Sequence, residues 1–137
     1  MTAKENEQVV KRFYAEVIND RRLDAIDELV SEDFVHNGIE RGRAGQRRVY
    51  EAFLSAFPDL QTDVIETVAA GDRVAIHRRW TGTHLGVFEK IEPTGRTVDF
   101  ESTAILTLRG GVITEYCGVL DLLRLMGQIG AAPQTSF

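Results

Sequence analysis

The chain has 137 residues, of which 43% are hydrophobic and 27% charged, with a net charge of −5. That length accommodates one domain, residues 1–137. The composition excludes a disordered or fibrous chain, and the acidic balance disfavours a general nucleic-acid binder, whose basic field must displace counterions from phosphate. The single cysteine, Cys117, cannot form an internal disulfide, which suits a reducing, cytoplasmic setting. No apolar run reaches the length of a membrane span, and the opening residues Met1 to Glu7 lack an apolar signal core.

The first half has helical spacing. Thr2 with Glu5 three residues on is a capping-box signature. Val9, Phe13 and Val17, with Val10, Tyr14 and Ile18, form one broad apolar stripe that ends at Asn19-Asp20. Leu23, Ile26, Leu29 and Val30 mark a second, shorter helix, and Asp33 to Gly38 reads as a short extended piece closing in a turn. A third helix is predicted from about Ala44 to Phe57, stopped by Pro58. The second half reads as strands over Thr62–Ala69, Arg73–His84, Thr97–Arg109 and Val112–Leu120, with hairpin turns at Ala70-Gly71-Asp72 and Gly110-Gly111. A terminal helix follows, with Leu122, Leu125, Met126 and Ile129 on one side and Gly130 as its αL cap. The tail from Ala131 to Phe137 is expected to fray. Helices first and an antiparallel meander second predict an α+β domain. Three helices lying on a strongly curved sheet enclose a concave apolar space suited to a small apolar or aromatic ligand.

Asp121 is the carboxylate of most interest. Unbroken alternation along the last strand puts Ile113, Glu115, Cys117, Val119 and Asp121 on one face. Asp121 then stands at the inner end of a largely apolar row, where lost hydration raises a carboxyl pKa and fits it for acid/base work. It also directly precedes the apolar periodicity of the last helix, and spacing alone favours an N-cap. His36 follows Phe34-Val35 and is a candidate cavity residue. His84 shares a strand face with Val74, Ile76, Arg78 and Trp80, whereas His77 falls on the opposite face with Arg73, Ala75 and Arg79 and is expected to meet solvent or a partner subunit. That opposition argues against a shared metal, and with no HExxH, cysteine pair or acidic loop no metal site is expected. Arg78 on an apolar face calls for a carboxylate or anionic oxygen, with Glu101 on the next strand as candidate partner. Tyr14, Phe53, Phe57, Trp80 and Phe100 are candidates for an aromatic wall, with plain core packing as the competing account. Arg41, Arg43, Arg47 and Arg48 read as a solvated face, Arg47 being spaced to pair with Glu51. Neither GxGxxG nor a P-loop occurs, so no nucleotide cofactor is implied. Cys117, among apolar neighbours, is expected to be unreactive.

Several segments together resemble a known family. They are Arg12-Phe13-Tyr14, Phe57-Pro58-Asp59, Gly71-Asp72-Arg73-Val74-Ala75, Gly82-Thr83-His84-Leu85-Gly86, Pro93-Thr94-Gly95-Arg96, Glu115 through Asp121, and Gln128-Ile129-Gly130. In order and spacing they resemble a SnoaL-like polyketide cyclase, of the nuclear-transport-factor-like superfamily of cone-shaped α+β barrels, over nearly the whole chain. The resemblance implies closure of the last ring of an aromatic polyketide methyl ester by an intramolecular aldol reaction, with no metal or organic cofactor, in a homodimer or homotetramer. It also implies that Asp121, which matches the family's acid/base aspartate, is the catalytic base that takes the acidic proton, and that His36 and His84 border the pocket, where either is a catalytic candidate to hydrogen-bond the enolate or aldol oxygen. Cys117 stands where many relatives carry tryptophan, which implies a larger or reshaped pocket. With Tyr14, Phe53, Phe57, Arg78, Trp80 and Phe100 it completes the candidate substrate-contacting set. Two other readings stay open: a cofactor-free polyketide oxygenase, and a non-catalytic binding or assembly module.

Overall fold

Thr2 caps the first helix in both directions in the computed structural model. Its hydroxyl accepts the Glu5 N–H at 3.1 Å, and Glu5 Oε1 accepts the Thr2 N–H at 3.0 Å. Helix α1 (Ala3–Tyr14) runs into a π-helical turn (Ala15–Asn19), followed by α2 (Ala25–Leu29), β1 (Val30–His36), β2 (Ile39–Glu40) and α3 (Gly42–Ala56). Strands β3 (Gln61–Ala70), β4 (Arg73–Thr83), β5 (Thr97–Arg109) and β6 (Val112–Leu120) form the meander, and α4 (Leu122–Gln128) closes the chain. The structure describes residues 1–131, so the expected frayed tail beyond Ala131 lies outside the described residues.

The six strands make one curved sheet in the order β2-β1-β6-β5-β4-β3. Gly110 and Gly111 take φ of +59° and +78°, which lets the two-residue β5–β6 turn follow the twist of its strands. Inward residues of β4 and β5 alternate as expected: Val74, Ile76, Arg78 and Trp80 face Leu106, Ala104, Ser102 and Phe100. The α1 stripe (Val10, Phe13, Tyr14) and Val17 and Ile18 of the π-helical turn pack onto this concave face with less than 3% of any side chain exposed. Asn19 fixes the end of that stripe through paired hydrogen bonds with the Thr62 backbone, at 3.0 and 2.9 Å.

Two features depart from the sequence reading. The segment read as a short extended piece is the seven-residue strand β1, and it pairs parallel with β6, Val35 opposite Glu115 and His36 opposite Tyr116. The sheet is therefore mixed rather than a pure antiparallel meander. Alternation along β6 is also broken. Thr107 pairs with Glu115 but Leu108 pairs with Ile113, which leaves Thr114 as the extra residue of a β-bulge. One extra residue reverses every later side chain. Tyr116, Gly118 and Leu120 therefore follow Ile113 inward, while Glu115 and Cys117 turn outward.

Candidate active site

A cavity of about 350 Å³ opens between the concave sheet and α3. Helix α3 contributes Gln46, Val49, Tyr50 and Phe53, whose spacing places them on one helical face. The sheet contributes Arg78 and Trp80 from β4, Phe100 and Ser102 from β5, and Tyr116, Gly118 and Leu120 from β6. His36 and Asn37 stand at the end of β1, and Leu122 begins α4 at the rim. Trp80 and Phe100 lie parallel, 8° apart with centroids separated by 6.3 Å, and Trp80 Nε1–H donates to Ser102 Oγ at 2.8 Å. Gly118 keeps room here: a Cβ on it would lie 2.6 Å from both the Ala104 Cβ and the Thr103 carbonyl oxygen.

His36 is held in a defined tautomer. Its Nδ1 lies 3.0 Å from Gln46 Oε1, an oxygen that can only accept, so Nδ1 carries the proton. The Nε2 lone pair is left without a partner among the described residues. The ring stacks on Tyr116 with centroids 4.6 Å apart. Burial pushes the His36 pKa below the ordinary imidazole value; the Gln46 hydrogen bond opposes this and the Arg41 charge adds to it. Near neutral pH the side chain is thus an uncharged base with a free lone pair in an aromatic cavity.

Arg78 is the second polar feature. Only 2% of it is exposed. Its guanidinium carbon sits 4.5 Å from the Tyr14 ring centroid, 5.4 Å from that of Trp80 and 5.7 Å from that of Tyr116. Nη2 donates to the Tyr116 hydroxyl at 3.3 Å, and Nε has no acceptor. The expected partner Glu101 does not reach it. Glu101 lies on the outer face, where it bonds His77 Nε2 at 2.6 Å, because neighbouring β4 residues point to opposite sides. Burial raises the hydroxyl pKa of Tyr14 well above its usual value and that of Tyr50 to about 12, the Arg78 charge working against burial in both.

The remaining candidates divide. Phe53, Trp80 and Phe100 line the cavity, and Tyr14 lies behind it, under Arg78. Phe57 does not line it; fully buried, it packs against Phe88 and His84. His84 does not line it either. It is fully buried, its Nδ1 accepts the Thr94 N–H at 3.2 Å, and its own backbone bonds Arg96 and Gly95. The Thr94 hydroxyl lies 3.0 Å from the same nitrogen. It therefore clamps the loop between β4 and β5 rather than facing the pocket. Cys117 lies exposed on the outer sheet face, on the far side of the bulge from its expected position. Asp121 lies between the lining residues Leu120 and Leu122, exposed, with Oδ1 accepting the Arg124 N–H at 3.1 Å as the N-cap of α4. It is a rim residue and not the inner end of an apolar row. Among the described residues no group of three or more His, Cys, Asp or Glu is placed to hold a metal ion.

Sequence reasoning missed Gln46, Tyr50, Asn37, Ser102 and Tyr116 as wall residues. The spacing of Gln46, Val49, Tyr50 and Phe53 was the available signal for the first two.

The fold has clear counterparts. AclR from Streptomyces galilaeus, a proposed hydroxylase, superposes with a TM-score of 0.87 at 30% identity, covering 98% of this chain and 91% of that one. A proposed SnoaL-like polyketide cyclase from Jannaschia sp. CCS1 superposes with a TM-score of 0.85 at 27% identity, covering 96% and 95%. IdmH from Streptomyces antibioticus, a proposed polyketide cyclase, gives 0.82 at 26% identity, covering 91% and 98%. No curated protein matches the sequence. The sequence profile of the SnoaL-like polyketide cyclases matches residues 8–129, and the chain belongs to that family.

Proposed function

We propose that this protein closes a ring in an aromatic polyketide by an intramolecular aldol reaction that needs only acid/base catalysis. The observation that carries the reading is a juxtaposition. One aromatic-walled cavity holds a free histidine lone pair and a buried guanidinium with no counter-charge. Enolisation needs a base near neutrality, and the cation gives an anionic oxygen of the substrate a charged partner in the wall. His36 Nε2 takes a proton from a carbon flanked by carbonyl groups, and the charge left behind delocalises as an enolate. The cavity folds the chain so that this carbon faces a ketone, which supplies the orientation term. The new C–C bond forms as the ketone π bond opens, and the alkoxide recovers a proton, so product and substrate are isomers. Asp121 at the rim, which matches the family's acid/base aspartate, is the candidate proton donor or second base. His84 acts by holding the β4–β5 loop.

A second reading, polyketide hydroxylation, is favoured by the 30% identity with AclR. Both chemistries can start from the same carbanion. Mass spectrometry of an uncyclised anthraquinone polyketide, incubated with the protein in air and under argon, separates them. An isomer of unchanged mass in both atmospheres supports the aldol cyclase. A product heavier by one oxygen atom, formed only in air, replaces it with the oxygenase.

Assembly is a further part of the proposal. The outer sheet face exposes Ile65, Val68, Ile105 and Val119 beside the His77–Glu101 and Arg79–Asp99 pairs. An apolar patch rimmed by charge supports a homodimer or homotetramer, which light scattering reads directly. Among the described residues no helix is long and apolar enough to cross a membrane. A cytoplasmic setting fits the lone cysteine.

A further inference from the structure

We infer that the molecule this pocket receives is an acid in its resting form, with an ionised carboxylate seated on Arg78. The inference rests on the cyclase reading only for the polyketide skeleton that would carry the carboxylate. It departs from the methyl ester that the family resemblance implies.

A guanidinium stays protonated wherever it is placed. Arg78 is 2% exposed, and none of the chain's 21 acidic side chains forms an ion pair with it. Its neighbour Arg79 has Asp99, on the outer face, and Arg47 has both Asp24 and Glu51. The fold therefore places counter-charges freely at the surface and none in the cavity. The rings of Tyr14, Trp80 and Tyr116 offset part of the lost hydration, but ring faces do not fill a hydrogen-bonding fork. Nε has no acceptor, and Nη2 has only the Tyr116 hydroxyl, at a long 3.3 Å. The Tyr14 hydroxyl, on the ring beneath the guanidinium, is also buried without a partner.

Two parallel N–H donors on a planar cation match the two oxygens of a carboxylate. An ester carbonyl is neutral and offers one oxygen to the fork. An enolate is anionic only during turnover and would leave the cation uncompensated in the resting complex. A carboxylate compensates it from the moment of binding. The rest of the wall is aromatic and apolar, so the acid group must be attached to a flat hydrophobic body.

The test measures binding without turnover. Benzoate and anthraquinone-2-carboxylate are titrated against their methyl esters, read by quenching of Trp80, the only tryptophan, and by calorimetry. In the natural sequence each acid should bind about 10- to 100-fold tighter than its ester, the usual scale for a hydrogen bond to a charged group. Arg78→Met should bring acid and ester within about twofold. Arg78→Lys, which keeps the charge but loses the fork, should retain only part of the preference and shows that a folded pocket remains. The inference is overturned if acid and ester bind the natural sequence equally, if neither acid binds at millimolar concentration, or if Arg78→Met keeps the preference. An acid that binds as expected while no polyketide cyclises would overturn the cyclase reading and leave this one standing.

Discussion

Replacing Arg78 with methionine should stabilise the empty protein. Moving a guanidinium out of water costs several kcal/mol even after relaxation. Against that stand the Tyr14 contact at 4.5 Å, of roughly 1–2 kcal/mol, and those to Trp80 and Tyr116 at 5.4 and 5.7 Å, of about 0.5–1 kcal/mol each. The single 3.3 Å hydrogen bond to Tyr116 adds about 1 kcal/mol at most. The unpaired Nε cancels a similar amount. Methionine is two bonds shorter, carries no charge, and has a sulfur that suits aromatic neighbours. Buried ionic groups replaced by apolar ones of like volume typically give gains of about 1–4 kcal/mol. The surviving ring contacts put the expectation at about 1–3 kcal/mol. For a chain of 137 residues that is a rise in Tm of about 4–10 °C. Urea unfolding followed by Trp80 fluorescence, with calorimetry alongside, measures it, and an unchanged m-value confirms that both proteins unfold from the same fold. A variant less stable than the natural sequence by more than about 1 kcal/mol would refute the reasoning. The ring contacts would then outweigh the desolvation, and Arg78 would be a structural post with no unmet need for an anion.

Three further positions carry expected outcomes. His36→Asn should lower kcat by about 10²- to 10⁴-fold with Tm little changed, the usual loss for a positioned general base. Because the base works unprotonated and burial holds its pKa down, kcat/KM should rise with pH along an acid limb centred below the ordinary imidazole value of about 6.5. The same depression means that the unfolded chain binds this proton more tightly, so the His36 contribution to stability is lost as pH falls from about 6.5 through the folded value; a pH series of urea melts on the natural sequence and His36→Asn reads it. Asp121→Asn should leave Tm unchanged, since asparagine caps a helix as well as aspartate, whereas Asp121→Ala should cost about 1 kcal/mol. Lost turnover in the asparagine variant then reports chemistry alone. Gly118→Val should destabilise by about 2–3 kcal/mol, because its Cβ would press on Ala104 and the Thr103 carbonyl at 2.6 Å; thermal unfolding checks it.

The elements were legible because their signals are local. The Thr2–Glu5 box, the α1 stripe, the Pro58 stop and the Gly110-Gly111 turn each act within a few residues, and each stands where its chemistry requires. What the sequence hid is nonlocal or turns on one residue. The parallel β1–β6 pair joins segments some eighty residues apart, and neither strand carries a mark of the other. The bulge at Thr114 sits in a run with ordinary strand chemistry, yet it takes Cys117 off the inner face and puts Tyr116 there instead. The family motifs were legible as a resemblance, but much of what they do is structural. Asp59 of Phe57-Pro58-Asp59 accepts both the N–H and the hydroxyl of Thr83, each at 2.7 Å. Thr94 of Pro93-Thr94-Gly95-Arg96 holds His84, and Gln128 pairs through its amide with the Asp99 backbone at 2.8 Å both ways. These segments hold one another and shape the sheet, while His36 and Arg78, the two polar features of the cavity, lie outside them.

Asn37 shows how such a residue comes to be placed. With φ of +50°, tolerated by asparagine better than by most side chains, it ends β1 and turns its amide onto the neighbouring strand. Its Nδ2 donates to the Gly118 carbonyl at 3.1 Å, its Oδ1 accepts the Gly118 N–H at 2.8 Å, and its backbone N–H donates to the Tyr116 carbonyl at 2.8 Å. The side chain thus continues the ladder one step after the backbone has left it. That step locks the register that sets His36 opposite Tyr116, and the stacked ring in turn touches Arg78 through its hydroxyl. His36 and Tyr116 are joined through one strand pair whose end is fixed by a side chain, and Arg78 reaches the ring from β4 of the same sheet, so their spacing is a property of the sheet and not of a loop. The proposed reaction, which holds a carbon against the His36 lone pair, needs that kind of support. It also explains why Gly118 opposite the clip must stay bare: any side chain there would strike Ala104 and force apart the strands that the clip holds together.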